Sequence, residues 1–132
     1  MVGGLLALIL SRNLFRSFPP IIALQALSAV LFLWARITFG RRSFHMMANA
    51  TDGGLVTSGP YRYIRHPIYT AICVFALAGV AGHMSWGTAL CGGWILTCAV
   101  IRISCEESLV TARYPAYTQY KATTSRMIPY VY

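Results

Sequence analysis

The chain carries only three acidic residues in 132, and two of them, Glu106 and Glu107, stand side by side at the end of its longest apolar stretch. An ionisable pair at such a boundary is a candidate functional site, because an apolar surrounding makes charge costly unless a partner or ligand offsets it. Arg102, Glu106, Leu109 and Arg113 fall on one helical face, so Glu106 has candidate partners on its own helix. Glu107 points about 100° away from that face and has none there. The second group is the segment Thr57 to Tyr69, where Tyr61, Tyr63, Tyr69, Arg62, Arg65 and His66 crowd together before another apolar run. Gly59-Pro60 reads as a turn and Pro67 as a first helical position, which leaves His66 near the cap. An imidazole, phenols and free helix amides at one boundary suit a polar or anionic group. An interfacial belt would explain the Tyr and Arg residues without a ligand, but it explains His66 poorly.

These residues need elements to position them, and composition says which kind. Hydrophobic residues make up 57% of the chain and charged residues 11%, with a mean hydropathy of +0.58, whereas soluble domains carry about 25% charged residues. Such a composition excludes a disordered chain and an ordinary soluble globule, and it points to an all-α integral membrane protein. The run Pro67 to Ile101 is 35 residues without a charge, about 52 Å as one helix against a hydrocarbon core of about 30 Å. It must fold back on itself. Gly79, Gly82, His83, Ser85 and Gly87 mark the break and predict a helical hairpin over 67–82 and 86–105, with Trp86 as an interfacial anchor. Pro19 to Ala35 is a second uncharged run, opened by Pro19-Pro20 and closed by Arg36 and Gly40. Val2 to Leu10 spans only if its helix continues past Arg12 and Arg16 to Phe18 with both side chains snorkelling.

The expected layout is a single membrane-embedded domain over 1–132 with three to four transmembrane helices. N-terminal helices occupy 1–38, a loop 39–66, the hairpin 67–105 and a polar tail 106–132. Pro115 ends the last long helix near Arg113, and a short interfacial helix follows over about 116–122. Ten of the eleven basic residues are Arg. The segment Arg36 to His66 holds five of them and the tail from Arg102 holds three with Lys121, whereas the hairpin turn holds none. The positive-inside rule then places both rich segments in the cytoplasm, and only Arg12 and Arg16 resist this orientation. The net charge of +8 is spread over membrane boundaries without a continuous basic run, which speaks for lipid headgroups and against nucleic acid. Cys73, Cys91, Cys98 and Cys105 form no CxxC pair and read as small packing residues, with no metal site implied. His45, Met46 and Met47 read as packing or headgroup contacts.

A hairpin would bring its two open ends to one membrane face, and therefore His66 and Tyr69 towards Arg102, Glu106 and Glu107. Ala78, Gly82, Ala89 and Gly93, at four-residue spacings, would let the two backbones approach. The expected pocket has polar groups for a soluble cofactor and apolar walls for a lipid-like partner.

The string LVTSGPYRYIRHPIYTA, followed after the hairpin by EESLVTARYPAYTQYKATTSRMIPYVY, resembles the C-terminal half of the isoprenylcysteine carboxyl methyltransferase family, to which phospholipid methyltransferases are related. The resemblance runs from about Phe39 to Tyr132. Ala71 stands where the family usually has Gly, and Tyr114-Pro115 where Phe-Gly is common. The resemblance implies S-adenosylmethionine as methyl donor at the cytoplasmic face, with a lipophilic or prenylated acceptor entering from the bilayer. It implies that Gly54, Leu55, Val56, Tyr61, His66, Pro67, Ile68 and Tyr69 cradle the cofactor. Glu106 or Glu107 would hold it from the other helix, and Arg102 would face the acceptor.

The chemistry agrees with these residue types. Methyl transfer from a sulfonium is an in-line displacement that depends on positioning and exclusion of water. A carboxylate acceptor needs no general base and pairs well with Arg102, whereas an amine acceptor would need His66 or a glutamate as base. The alternatives are a phospholipid amine or thiol acceptor, a membrane sterol-type reductase using NADPH, and a non-catalytic membrane subunit.

Overall fold

The computed structural model describes residues 1–10, 18–40 and 55–131, and the regular elements among those residues are helices, without a strand. Five helices follow in order: α1 (Val2–Leu10), α2 (Pro19–Phe39), α3 (Pro67–Gly82), α4 (Trp86–Arg113) and α5 (Tyr117–Thr123), with a 3-10 turn at Gly59–Arg62 before α3. Arg12, Arg16, His45, Met46, Met47 and Gly54 lie outside the described residues, and so does the continuation of the first helix towards Phe18.

Local chemistry accounts for the boundaries of α2, α3 and α4. Pro19 and Pro20 occupy the opening positions of α2, where their missing N–H groups cost nothing, and Gly40 closes it at φ 64°. Pro67 opens α3 behind a non-helical His66, and the amide of His83 closes it by donating to the carbonyls of Gly79 and Val80. Ser85 starts α4 through a reciprocal pair: the Thr88 amide donates to Ser85 Oγ at 3.2 Å, and the Ser85 amide to Thr88 Oγ1 at 2.9 Å. The break between α3 and α4 thus falls inside the glycine-rich stretch. α4 runs on to Arg113 and stops because Tyr114, next to Pro115, leaves the helical region.

The core is formed by Leu8, Cys73, Ala76, Val80, Ile95 and Ala99, contributed by α1, α3 and α4. α2 lies along α3. It ends where α3 begins, with Gly59 against Thr38 and Phe39 against Tyr61, so the two run antiparallel. The packed face of α4 is Thr88, Gly92, Ile95, Ala99, Ile103 and Glu107. That face corrects one expectation. Gly92 meets α3, where an added Cβ would lie 3.3 Å from Val80 Cγ2, while Gly93 faces open space and Ala89 is exposed. Side chains one residue apart on a helix diverge by about 100°, so the predicted small-residue stripe at 89 and 93 turns away.

The outer surface is apolar. Leu27, Val30 and Ile37 of α2 and Leu90, Trp94 and Ile101 of α4 all point away from the protein. α2, with 21 residues, and α4, with 28, are long and apolar enough to cross a membrane. α3 is shorter, at 16 residues.

Candidate functional site at the open end of the hairpin

The hairpin places the start of α3 beside the end of α4, and the chemistry-bearing residues gather there in two linked groups. Glu107 is the centre of the first. It projects from the packed face of α4 and is 3% exposed. Arg65 Nε donates to its Oε1 at 2.9 Å, and His66 Nε2 lies 3.2 Å from the same oxygen. Its Oε2 receives Arg126 through Nε at 3.1 Å and a terminal nitrogen at 3.0 Å, with Lys121 Nζ 3.7 Å away. Burial alone would make this carboxylate costly, and convergent charge-assisted hydrogen bonds are what allow it. Its partners come from distant segments.

The second group is a chain of donors. Arg102 Nε donates to the Tyr69 hydroxyl at 2.6 Å, and that hydroxyl donates to Glu106 Oε2 at 3.0 Å. Glu106 is half-buried, unlike its neighbour, and faces the side of α4 where Tyr69 stands. The His66 and Tyr69 rings lie 5.8 Å apart, so the two groups share one wall.

A C-terminal strap closes the arrangement. Ile64 and Ser125 form an isolated parallel bridge, with the Arg65 amide donating to Ser125 O at 2.8 Å and the His66 amide to Arg126 O at 3.0 Å. Thr70 Oγ1 donates to Met127 O at 2.9 Å. Arg65 also donates to the carbonyls of Lys121, at 3.0 Å, and Thr124. The Tyr120 hydroxyl donates to Tyr61 O at 2.5 Å. Burial pushes the Tyr120 phenol up to about 12. Burial, with the Glu106 charge adding to it, raises Tyr61 further, and burial with Glu107 does the same for Tyr117. Burial thus favours the protonated form of all three phenols.

Among the residues expected at a site, the structure brings together Tyr61, His66, Pro67, Ile68, Tyr69, Arg102, Glu106 and Glu107. Leu55 and Val56 lie in irregular chain ahead of the 3-10 turn, half-buried. Sequence reasoning placed Arg65 in the cluster before α3 without assigning it a partner, and it gave Lys121, Arg126 and Tyr120 no place in the site. The available signal was the ratio of basic to acidic residues near both clusters, since a buried acid in so basic a chain would attract several partners.

The family model described as isoprenylcysteine carboxyl methyltransferase matches residues 21–112, from the first turn of α2 to the last turn of α4. No curated protein and no solved structure matches the chain.

Proposed function

Because the chain belongs to the isoprenylcysteine carboxyl methyltransferase family, we propose that it transfers the methyl group of S-adenosylmethionine to the carboxylate of an isoprenylcysteine-like acceptor drawn from a membrane. The observation that carries this reading is the Arg102–Tyr69–Glu106 chain beside the start of α3. The residues fit the donor's polar parts. Glu106 offers a half-buried carboxylate suited to an ammonium group or ribose hydroxyls. A helix opening at Pro67 leaves the amides of Ile68 and Tyr69 without intrahelical carbonyls, which suits a carboxylate. When bound, the donor supplies an electrophilic methyl group on a sulfonium.

The protein's own part is positional. Glu107 holds His66 and Arg65 in place and is itself enclosed, so it organises the wall and Glu106 faces the ligand. Tyr69 couples Arg102 to Glu106, fixing both side chains before any ligand arrives, and such preorganisation is the main contribution to a displacement of this kind. The strap and the apolar helices keep water from the reacting atoms. His66 is 6% exposed and its Nε2 is engaged by Glu107. It is poorly presented as a general base, which favours an ionised carboxylate acceptor over a lipid amine. The membrane reading rests on the family and on α2 and α4, with α3 as a third, shorter crossing and the basic end of the hairpin in the cytoplasm.

The test uses detergent-purified protein, a radiolabelled methyl donor and an S-prenylated N-acetylcysteine as acceptor. The wild type should form a base-labile methyl ester, and Glu106→Gln should weaken calorimetric binding of S-adenosylhomocysteine at least about tenfold, the scale of one charge-assisted hydrogen bond. Binding of NADPH in place of the sulfonium donor or its product would sink the proposal.

A further inference from the structure

Above the polar site, α2 carries a stripe at four-residue spacing: Ser28, Phe32 and then Arg36. The first two line a cavity of about 320 Å³ between α1, α2 and α3, with Ala71, Ile72 and Phe75 on the opposite wall. Its walls are almost wholly apolar, so its natural occupant is a hydrocarbon chain. Ala71 lies one turn from Pro67, and the cavity therefore runs along α3 towards the polar cluster.

Arg36 follows Phe32 by one turn, towards the end of α2 that meets the 3-10 turn ahead of α3. Its guanidinium carbon is 5.8 Å from the centroid of the ring of Phe32, which lines the cavity. Its charge also acts on the buried phenol of Tyr61, whose ring is 5.4 Å from that of Phe39 on the same end of α2. The end of α2 is fixed there by the close approach of Gly59 to Thr38. An apolar cavity with a guanidinium at its mouth is complementary to one kind of molecule, a hydrocarbon chain ending in an anion. Arg102 stands on the other side, on α4, with its Nε committed to Tyr69 at 2.6 Å.

We infer that Arg36, at the mouth of the cavity between α1, α2 and α3, holds the carboxylate of the methyl acceptor, while Arg102 orders Tyr69 and Glu106. This rests on the methyltransferase reading and deepens it by naming the residue that selects an acid-ended acceptor. The chain lies in the cavity, the carboxylate meets Arg36, and the donor side is the wall of Tyr69 and Glu106.

The experiment compares wild type, Arg36→Gln and Arg36→Lys in phosphatidylcholine nanodiscs, with N-acetyl-S-farnesylcysteine as acceptor and its carboxamide as competitor. Arg36→Gln should raise the acceptor KM at least about tenfold, the cost of losing one charge-assisted bond, and leave the calorimetric Kd of S-adenosylhomocysteine within about twofold. Arg36→Lys should recover part of the loss. The wild type should prefer acid to carboxamide, and Arg36→Gln should not. An unchanged KM with the preference intact overturns the inference, as does a parallel loss of S-adenosylhomocysteine binding. An effect of Arg36→Gln that appears only when phosphatidylglycerol is added assigns the residue to a lipid headgroup and overturns it too. Wild-type protein that binds S-adenosylhomocysteine but esterifies no carboxylate refutes the parent reading instead, and the two failures are distinguishable.

Discussion

Replacing Glu107 by alanine would leave Arg65, Arg126 and Lys121 converging on one place with no counter-charge. Breaking a buried ionic cluster from one side costs about 3–5 kcal/mol, and the partial exposure of Lys121 and Arg126 puts this case at the lower end. The expected result is a strap that detaches: faster tryptic cleavage after Lys121 and Arg126, and a lower melting temperature. Glu106→Gln should leave both unchanged, because Glu106 ties Tyr69 and not the strap. Equal proteolytic sensitivity of the two variants would contradict this division of labour. Adjacent glutamates thus differ by environment alone. The meeting of the pair with His66 and Tyr69 was legible in the sequence. The role of each was not. Glu107 has no partner on its own helix face, and its real partners, Arg65 and Arg126, lie 42 and 19 residues away, a pairing that periodicity cannot reveal.

At the scale of elements, the 3-10 turn is docked on α2 through a glycine. Gly59 sits at φ +57°, and an added Cβ would lie 2.6 Å from Thr38 Oγ1 and 3.0 Å from Thr38 Cγ2. Gly59→Ala should therefore destabilise the protein through two causes, collision and a left-handed backbone, the second costing about 1–2 kcal/mol. Adding Thr38→Ala removes both colliding atoms. The double variant should regain part of the lost melting temperature, and no recovery at all would show that the contact is not the cause. Helix boundaries here follow Pro19, Pro67, Ser85 and Pro115, residues whose local chemistry is visible in one dimension. The choice of Gly92 over Gly93 as the packing glycine is set by how α4 is rotated against α3, and a spacing of four fits either stripe.

For the whole molecule, stability should fall at high pH through the buried phenols. Tyr120 has its pKa raised from 10.0 to about 12, and Tyr61 and Tyr117 are raised further, with burial the leading cause in each. A raised folded pKa means that the protonated form is favoured in the fold. The stabilisation is therefore complete below pH 10 and is lost as pH climbs through 12 and beyond. Tyrosinate absorbance should show a late step that coincides with loss of helical signal, and the Tyr120→Phe variant should lower its amplitude. A titration finished by pH 11 with the helices intact would refute the linkage.

The family match ends at residue 112, while the strap that completes the site lies beyond it. This has a consequence for how the protein is made. Arg65 and the Thr124 carbonyl it binds are separated by 59 residues, roughly three to twelve seconds of ribosomal elongation. During that interval Arg65 and Glu107 lack the partners that the strap supplies. The cage around Glu107 therefore closes only after both helices of the hairpin have been made, and a chain released at residue 113 would carry α3 and α4 without the segment that completes it.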